Sequence, residues 1–592
     1  MSVLEFISNN ELYGQEEHRI RKLFRGAKKL LTFEAAKKGC QDEYHCELAY
    51  YNLISSGEIN FGFADFSPAH DTNSPVFIIV GGGVCGMISS LQIRNLHHAY
   101  GLPDPYVVIC EADSALGGRV KGQKVPFRSD ASGQYKPDYG CQFLYDIQDP
   151  RIQQLCSQLD WTPELVPPIW ECTVYDITGK VVEPSDVEMA VSVTMNILNA
   201  IDKSKSNTNL VSVEFRDKLP EFIETPSKLE CQLFSLVVAE LEYRFGSFDS
   251  IYPCHLPDEV ILATFHKYAV PQHLSSFVQK FDSVLRKVRK QDDDESVETL
   301  LLPKGALEFH NPKDLPTSKL LVSDLILKNY ESGIYCCNNF VVDTVSPSKA
   351  KTGNDEINID LAGRVELDTK EIKTVASAAI VCSTPYKWEK MLLLDKAAKN
   401  RADLPKEITN RCYGTCLESA SICCDKFKSN GYFYVLSEAS EDILHPQRGL
   451  FYFFKHISAN CSILTTFCVG LGAESFLGMK PSEKYKKLLK KVEFLKIDAH
   501  DMISSNFGNN SFISAGFYKT DPQLANSIKK GFGKSIYLQL ASDCLEDGTF
   551  NGALKSANLA ANLLFSKYYK SLFDFEEKKR DYESGSEMDV DE

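Results

Sequence analysis

The sequence lacks several features that would place it at once in a common class. No apolar run reaches the roughly 18 to 20 residues of a membrane-spanning helix, and Met1-Ser-Val-Leu-Glu-Phe6 lacks the basic and apolar zones of a signal peptide. The 19 cysteines include no C-x-x-C pair, which argues against zinc fingers and favours reduced, buried thiols such as Cys110 and Cys382. We therefore expect a soluble protein that is not secreted.

Several catalytic signatures are also missing. The sequence contains no H-E-x-x-H, no G-x-S-x-G and no G-x-x-x-x-G-K, and its 12 histidines are scattered, so no metal site, serine hydrolase or P-loop is predicted. The net charge of −15 argues against direct binding to nucleic acid. An acidic surface instead suits a cationic substrate, such as a basic histone tail or a polyamine.

The most informative segment follows an apolar run. Val76-Phe-Ile-Ile-Val80 is typical of a buried parallel strand, and Gly81, Gly83 and Gly86 then give the G-x-G-x-x-G spacing. This spacing lets a helix N-terminus approach a pyrophosphate. The segment therefore predicts a dinucleotide site, although a lone glycine motif is weak support.

A second element strengthens this prediction. The apolar run Val107-Val-Ile-Cys110 ends at Glu111, whose carboxylate can accept hydrogen bonds from a ribose diol. Gly117-Gly118-Arg119-Val120 follows six residues later and adds a flexible loop with a fixed cation. Together the two loops favour a cofactor site over an isolated glycine turn.

The run Glu111-Ala-Asp-Ser-Ala-Leu-Gly-Gly-Arg-Val120 after the glycine turn resembles the FAD-dependent amine oxidases. Asp138-Tyr-Gly-Cys-Gln-Phe-Leu144 resembles the family segment along the flavin, and Ala379-Ile-Val-Cys-Ser-Thr-Pro385 resembles the strand that returns to the nucleotide domain. Ala541-Ser-Asp543 and Gly548-Thr-Phe-Asn-Gly-Ala-Leu-Lys-Ser556 resemble the C-terminal motifs, whose helix N-terminus faces the cofactor phosphates. The resemblance implies FAD as cofactor.

The N-terminus resembles a second family. Leu31-Thr-Phe-Glu-Ala-Ala36 and the stretch from Leu48 to Phe63 are similar to the second half of a SWIRM domain, a small helical module of chromatin proteins. Gly57 is a candidate helix C-cap, and the alternation of Ile59, Phe61 and Phe63 predicts a short strand. A SWIRM-like module before an amine oxidase domain is the order found in flavin-dependent lysine-specific histone demethylases.

The predicted fold class is therefore α/β: a Rossmann-like FAD-binding domain of the amine oxidase type, interleaved with an α+β substrate domain and preceded by a small all-α SWIRM-like domain. The predicted boundaries are a SWIRM-like domain at 1–65, a linker at 66–74, FAD-binding parts at 75–150, 316–390 and 526–565, substrate parts at 151–315 and 391–525, and an acidic disordered tail at 570–592.

The resemblance implies hydride transfer from a carbon next to an amine nitrogen to the flavin, hydrolysis of the imine, and release of hydrogen peroxide. Three interpretations stay open: oxidation of methylated lysine on histones, oxidation of a polyamine or another small amine, and a diverged chromatin-associated FAD-binding protein with weak or no catalysis. The first and third imply a nuclear protein, with the cytoplasm as the alternative location.

The predicted cofactor-binding residues are Gly81, Gly83, Gly86, Glu111, Gly118, Arg119, Asp543 and Thr549. In the family a lysine holds a water near the flavin, and its position here falls on Ser419, or on Glu418 with a one-residue slip. No lysine lies between Lys406 and Lys426 in either register, so the sequence departs from the family at this point.

The N-terminal module is predicted to bind a histone tail or subunits of a chromatin complex. Some histone demethylases also dock a corepressor through a long antiparallel coiled coil. The basic helical stretch Lys280 to Gln291 is followed by acidic residues and shows no sustained heptad pair, so no tower-type corepressor docking is predicted.

Overall fold

The computed structural model describes residues 3–25, 30–63, 74–120, 125–126, 134–135, 138, 141–204, 209–245, 247–249, 251–265, 268–271, 273–285, 333–347, 359–365, 371–376, 378–382, 413–423, 431–438, 442–444, 450–458, 461–469, 473, 475–476, 479–496, 499–513, 538–542 and 549–569. The helices are α1 Val3–Phe24, α2 Phe33–Lys37, α3 Glu43–Ser56, α4 Val84–Ala99, α5 Pro150–Gln158, α6 Pro184–Ala200, α7 Val211–Phe222, α8 Lys228–Phe245, α9 Ser276–Val284, α10 Pro481–Lys490 and α11 Phe550–Tyr568. None of these helices combines the length and apolar character needed to cross a membrane.

The strands are β1 Val76–Val80, β2 Tyr106–Cys110, β3 Val125–Pro126, β4 Gln134–Tyr135, β5 Leu144–Tyr145, β6 Glu164–Leu165, β7 Thr173–Tyr175, β8 Tyr268–Val270, β9 Gly333–Cys337, β10 Phe340–Pro347, β11 Ile359–Val365, β12 Glu371–Ala376, β13 Ala378–Cys382, β14 Tyr413–Cys423, β15 Gly431–Val435, β16 Leu450–Ser458, β17 Cys461–Val469, β18 Ala499–Ile513 and β19 Leu538–Ala541. Their described residues form two large sheets, one parallel and one largely antiparallel, and three smaller sheets.

The parallel sheet has the order β19–β13–β1–β2–β9. Every residue of β1 and β2 is buried, as expected for strands covered on both faces. Helices α4 and α11 contribute to the apolar core next to this sheet, through Leu91, Ile93, Leu554 and Ala561. Cys382 on β13 is a buried free thiol, and burial raises its pKa to about 12. Its burial confirms the sequence prediction for this residue.

The second large sheet has the order β18–β14–β17–β16–β15–β7. Alternating residues of its strands enter two different cores. Tyr434, Phe451 and Phe467 join the core formed with α6, α7 and α8, whereas Tyr452 and Leu464 pack with α10.

The N-terminal helices α1, α2 and α3 have their own core, which also contains Leu96 of α4 and Phe565 of α11. Gly57 ends α3 in the left-handed conformation, with φ of +77°, and the Glu58 amide donates to the Leu53 carbonyl at 2.9 Å. This Schellman pattern confirms the predicted C-cap.

The short strand predicted from Ile59 to Phe63 is wrong. The chain there forms bends, and Ile59, Phe61 and Phe63 are all buried. Side-chain amides of α4 and α5 bind its backbone groups and take the place of a partner strand. Asn60, which would point to the opposite face of a strand, is buried as well, so the segment is covered on both sides.

Candidate functional site

The site begins where β1 ends. The Gly81 amide donates to the Cys110 carbonyl at 2.8 Å, and Gly81 has φ of +100°. A Cβ at this position would lie 2.1 Å from the Cys382 carbonyl oxygen. Only glycine fits both the conformation and the space, because the loop crosses directly over the neighbouring strand.

The same loop packs tightly against the start of α4. Gly83 is the N-cap and makes no side-chain cap hydrogen bond, so the first-turn amides of α4 receive no acceptor from it. A Cβ on Gly86 would lie 1.9 Å from the Gly81 carbonyl oxygen. The missing side chains therefore leave a backbone cradle at a helix N-terminus, the arrangement that binds phosphate groups.

The second glycine loop lies directly against the first. The Gly117 amide donates to the Gly82 carbonyl at 2.9 Å, and a Cβ on Gly118 would lie 3.2 Å from the Cα of Gly83. Gly117 and Gly118 both have positive φ, at +119° and +57°. The structure thus brings Gly81, Gly83, Gly86 and Gly118 close together, and the partly buried Arg119 follows in the same loop. Their binding of a cofactor stays a prediction.

Glu111 closes this site from β2. Its side chain is buried, and its two carboxylate oxygens accept hydrogen bonds from the amides of Gly82 at 2.5 Å and Asp113 at 2.8 Å. A Cβ on Gly82 would lie 2.9 Å from the nearer oxygen. A carboxylate offers about four lone-pair directions, so this geometry keeps acceptor capacity for a ribose diol.

The N-terminus of α11 reaches the same region. Thr549 caps α11 by accepting the Gly552 amide at 3.0 Å, and the Cys85 thiol in the first turn of α4 donates to the Ala553 carbonyl at 3.5 Å. The first turns of both helices are therefore adjacent, and their amides add positive potential. Thr549 lies one turn before Ala553 at the start of α11, and its role at the site stays a prediction, whereas Asp543 lies outside the described residues.

The segment from Asp138 to Leu144 connects this site to the antiparallel sheet. The Asp138 carboxylate accepts the amides of Leu274 at 2.7 Å and Ser275 at 3.1 Å, just before α9. The Phe143 ring lies 4.9 Å from the ring of Phe467. The boundary between this region and the antiparallel sheet therefore contains aromatic rings and the partly buried Asp138 carboxylate.

Lys455 of β16 lies at the same boundary and was missed at the sequence level. Its ammonium donates to the Pro271 carbonyl at 3.1 Å. Burial lowers the pKa of Lys455 to about 8, while the negative charges of Asp138 and Glu164 oppose that shift. The available signal was a lysine directly after the apolar run Leu450-Phe-Tyr-Phe-Phe454.

Ser419 lies in β14, opposite Thr466 of β17 and Ser504 of β18. Thr466 is in turn opposite Tyr452, so the register gives Ser419 and Tyr452 the same sheet face. Glu418 is opposite Phe467, which belongs to the face that packs against Phe143. The roles predicted for Ser419 and for the alternative position Glu418 stay predictions.

Among the described residues, no group of three or more His, Cys, Asp or Glu side chains is arranged to hold a metal ion. The chemistry of the site is instead that of a backbone cradle for phosphates with an adjacent carboxylate.

Comparison with known proteins gives matches in structure only. No protein-family model matches the sequence, and no curated protein matches it. The structure of putrescine oxidase bound to putrescine superposes with a TM-score of 0.52 at 10% identity, covering 83% of this chain and 99% of that chain. Cyclohexylamine oxidase from Brevibacterium oxydans IH-35A gives 0.49 at 11% identity, covering 84% and 99%. The first of these likenesses supports the conclusion that this chain has the mixed α/β fold of an amine oxidase, built on a parallel sheet.

Proposed function

We propose that this chain is an FAD-dependent oxidase of small amines, with polyamines such as putrescine as the favoured class. FAD would supply a hydride acceptor for the carbon next to the amine nitrogen, with oxygen as the final oxidant and hydrogen peroxide as its product. Hydrolysis of the resulting imine would give an aldehyde and ammonia from a primary amine, or an aldehyde and the remaining amine from a secondary one. The residues of the chain hold the cofactor and orient the neutral amine against it.

One observation carries the proposal: two glycine loops touch beside a buried glutamate where two helices begin. The residues fit FAD, because the N-cap of α4 leaves space beside the loop backbone: a Cβ on Gly83 would have its nearest described neighbour, the Gly118 Cα, at 4.0 Å. The amides at the start of α4 and α11 would hold the pyrophosphate, Glu111 would bind the adenosine ribose, and Arg119 would add a cation.

The boundary with the antiparallel sheet supports the substrate side of the proposal. Phe143, Phe451 and Phe467 form a ring cluster with centroids 4.9 to 6.3 Å apart. Such a wall excludes water and favours the neutral form of an amine, which is the form that can transfer hydride. Lys455 lies in the same strand as Phe451, and the lowering of its pKa by burial supports a boundary that favours a neutral amine.

A small amine is favoured over a histone tail as substrate. The fold is similar to that of putrescine oxidase, which was solved with putrescine bound. The net charge of −15 suits a polycationic substrate of any size, so it does not distinguish a polyamine from a histone tail. Oxidation of methylated lysine, the SWIRM-like identity of the N-terminal helices, chromatin partners and nuclear location remain predictions from the N-terminal resemblance.

A second candidate is a cofactor-binding chain with weak turnover. It is favoured by one observation: β14 contains no lysine along its whole length, from Tyr413 to Cys423. In that case FAD would be held, and amine oxidation would be slow.

Formation of hydrogen peroxide tests the proposal. The FAD-loaded protein is incubated in air with putrescine, spermine or a dimethyl-lysine histone tail peptide, and Gly86→Ala is the control that cannot hold the cofactor in its cradle. The proposal predicts peroxide and an aldehyde from putrescine or spermine. Peroxide from the peptide alone would assign the histone function instead, and a flavin-loaded protein without peroxide from any amine would favour the second candidate.

A further inference from the structure

The backbone that follows α3 is bound by side chains from three other helices. Gln154 of α5 donates to the Gly57 carbonyl at 2.7 Å and accepts the Phe61 amide at 2.9 Å. Asn95 of α4 donates to the carbonyls of Asn60 at 3.0 Å and Gly62 at 2.9 Å. We call Ser55–Phe63, the end of α3 and the bends after it, the brace segment, because its backbone groups are paired with amide side chains of other helices.

Two amide side chains of α11 hold the start of this segment. The Nδ2 atoms of Asn558 and Asn562 both donate to the Ser55 carbonyl, at 2.8 and 2.9 Å. The residues are four apart and therefore lie one above the other on the same helix face. The end of α3 is thus attached to α11 at two successive turns.

A charged group continues the attachment towards the start of α11. Arg151 of α5 donates to the Ser56 carbonyl at 3.1 Å and forms an ion pair with Asp149 at 2.7 Å. Asp149 also lies 3.8 Å from the Lys555 ammonium of α11. Burial would raise the pKa of Asp149, yet the hydrogen bond from Arg151 and the adjacent charges lower it, so the carboxylate is ionised in this buried position.

Apolar contacts reinforce the polar ones. The rings of Tyr51 in α3 and Tyr100 at the end of α4 stack at 4.3 Å, and Tyr100 lies 5.1 Å from Phe565 of α11. The N-terminal helices, α4 and α11 therefore share one core. A shift of α11 along its axis would have to break the two asparagine contacts and this ring packing together.

The first turn of α11 is part of the cofactor site, because Thr549 and Ala553 lie beside the start of α4. A helix moves as a rigid element, so contacts at Asn558 and Asn562 fix the position of that first turn. We propose that the brace segment sets the position of α11 against the cofactor phosphates, and that Asn558 and Asn562 are positioning residues for cofactor retention. This inference rests on the proposed function. It gives the N-terminal helices a role in holding FAD.

The test compares flavin release from variants of the full chain. Asn558→Leu with Asn562→Leu removes both donors to the Ser55 carbonyl at similar side-chain volume. Ser566→Ala is the matched control, because it removes a hydrogen bond to the Leu563 carbonyl at the far end of α11 without touching the brace segment. FAD is loaded, excess is removed, and its dissociation is followed by fluorescence well below the melting temperature of each variant.

The double variant is expected to release FAD about tenfold faster than wild type, the factor that corresponds to the net loss of about one hydrogen bond in the position of α11. The control should match wild type. If the double variant does not fold, Asn558→Leu alone carries the test, with an expected increase of about threefold because one donor to Ser55 remains.

A purely structural role would lower the melting temperature of the apoprotein and leave FAD release unchanged, and that result would overturn the inference. Equal acceleration in Ser566→Ala would overturn it too. A wild-type protein that takes up no FAD would overturn the proposed function and this inference with it, whereas retention by both wild type and double variant would overturn the inference alone.

Discussion

Replacing Glu111 by glutamine is the sharpest test of the cofactor site. The side chain keeps its shape and loses its charge. In the wild-type protein both carboxylate oxygens accept hydrogen bonds from backbone amides, of Gly82 at 2.5 Å and Asp113 at 2.8 Å. Glutamine has one acceptor oxygen, so one of these amides would face an NH₂ group and lose its partner.

The expected magnitude follows from these contacts. A hydrogen bond to a charged acceptor contributes about 1.5 to 3 kcal/mol, and an unsatisfied buried amide costs a similar amount. We therefore expect the free energy of unfolding of the apoprotein to fall by about 2 kcal/mol. The ribose diol of FAD would also lose its ionised acceptor, which lowers affinity by about 10- to 150-fold.

The assay separates the two effects by comparing FAD with FMN, since FMN has no adenosine ribose. Affinity for each is measured by fluorescence quenching in wild type, Glu111→Gln and the control Glu221→Gln, whose carboxylate pairs with Lys218 in α7. We expect a loss for FAD that clearly exceeds the loss for FMN. Equal losses for both, or no loss for FAD, would refute ribose binding by Glu111.

Other predictions concern glycines and a buried histidine. Gly86→Ala should abolish FAD retention, measured as the ratio of flavin to protein, because its Cβ would lie 1.9 Å from the Gly81 carbonyl oxygen. Gly14→Ala in α1, where a Cβ would have nothing within 4 Å, should raise the free energy of unfolding in urea by about 0.5 to 1 kcal/mol. Gly57→Ala should destabilise by about 1 to 2 kcal/mol, since φ is +77°, and an unchanged melting temperature would contradict this. Burial lowers the pKa of His97 to about 4, whereas the unfolded chain binds this proton near pH 6.5. About 3 kcal/mol of stability should therefore be lost as the pH falls from 6.5 to 4. The His97→Gln variant should lose less stability over the same pH range.

Sequence patterns predicted the elements whose cause is local. The buried strand Val76–Val80, the glycine turn after it and the Gly57 cap depend on neighbouring residues, and each is present. The segment from Ile59 to Phe63 was predicted wrongly, because its burial depends on Gln154 and other amides about 95 residues away in the sequence. An alternating pattern cannot distinguish a strand from a segment enclosed by side chains.

The substrate side was less predictable for a related reason. Lys455 and Asp138 approach the same boundary only after the antiparallel sheet has folded against the nucleotide domain. The position of Ser419 likewise depends on strand register, because a shift of one residue would place it on the other face of the sheet. Contacts between distant segments decide such positions, and a single sequence does not encode them in any local pattern.

The most direct test of the proposed function is the absorbance spectrum of the FAD-loaded protein, followed without oxygen after addition of putrescine. The amine oxidase account predicts an oxidised flavin band near equimolar with the chain, and bleaching of that band by putrescine. A protein that binds no flavin would contradict the assignment of the glycine loops and Glu111. A bound flavin that neither putrescine, spermine nor a methyl-lysine peptide reduces would contradict amine oxidation.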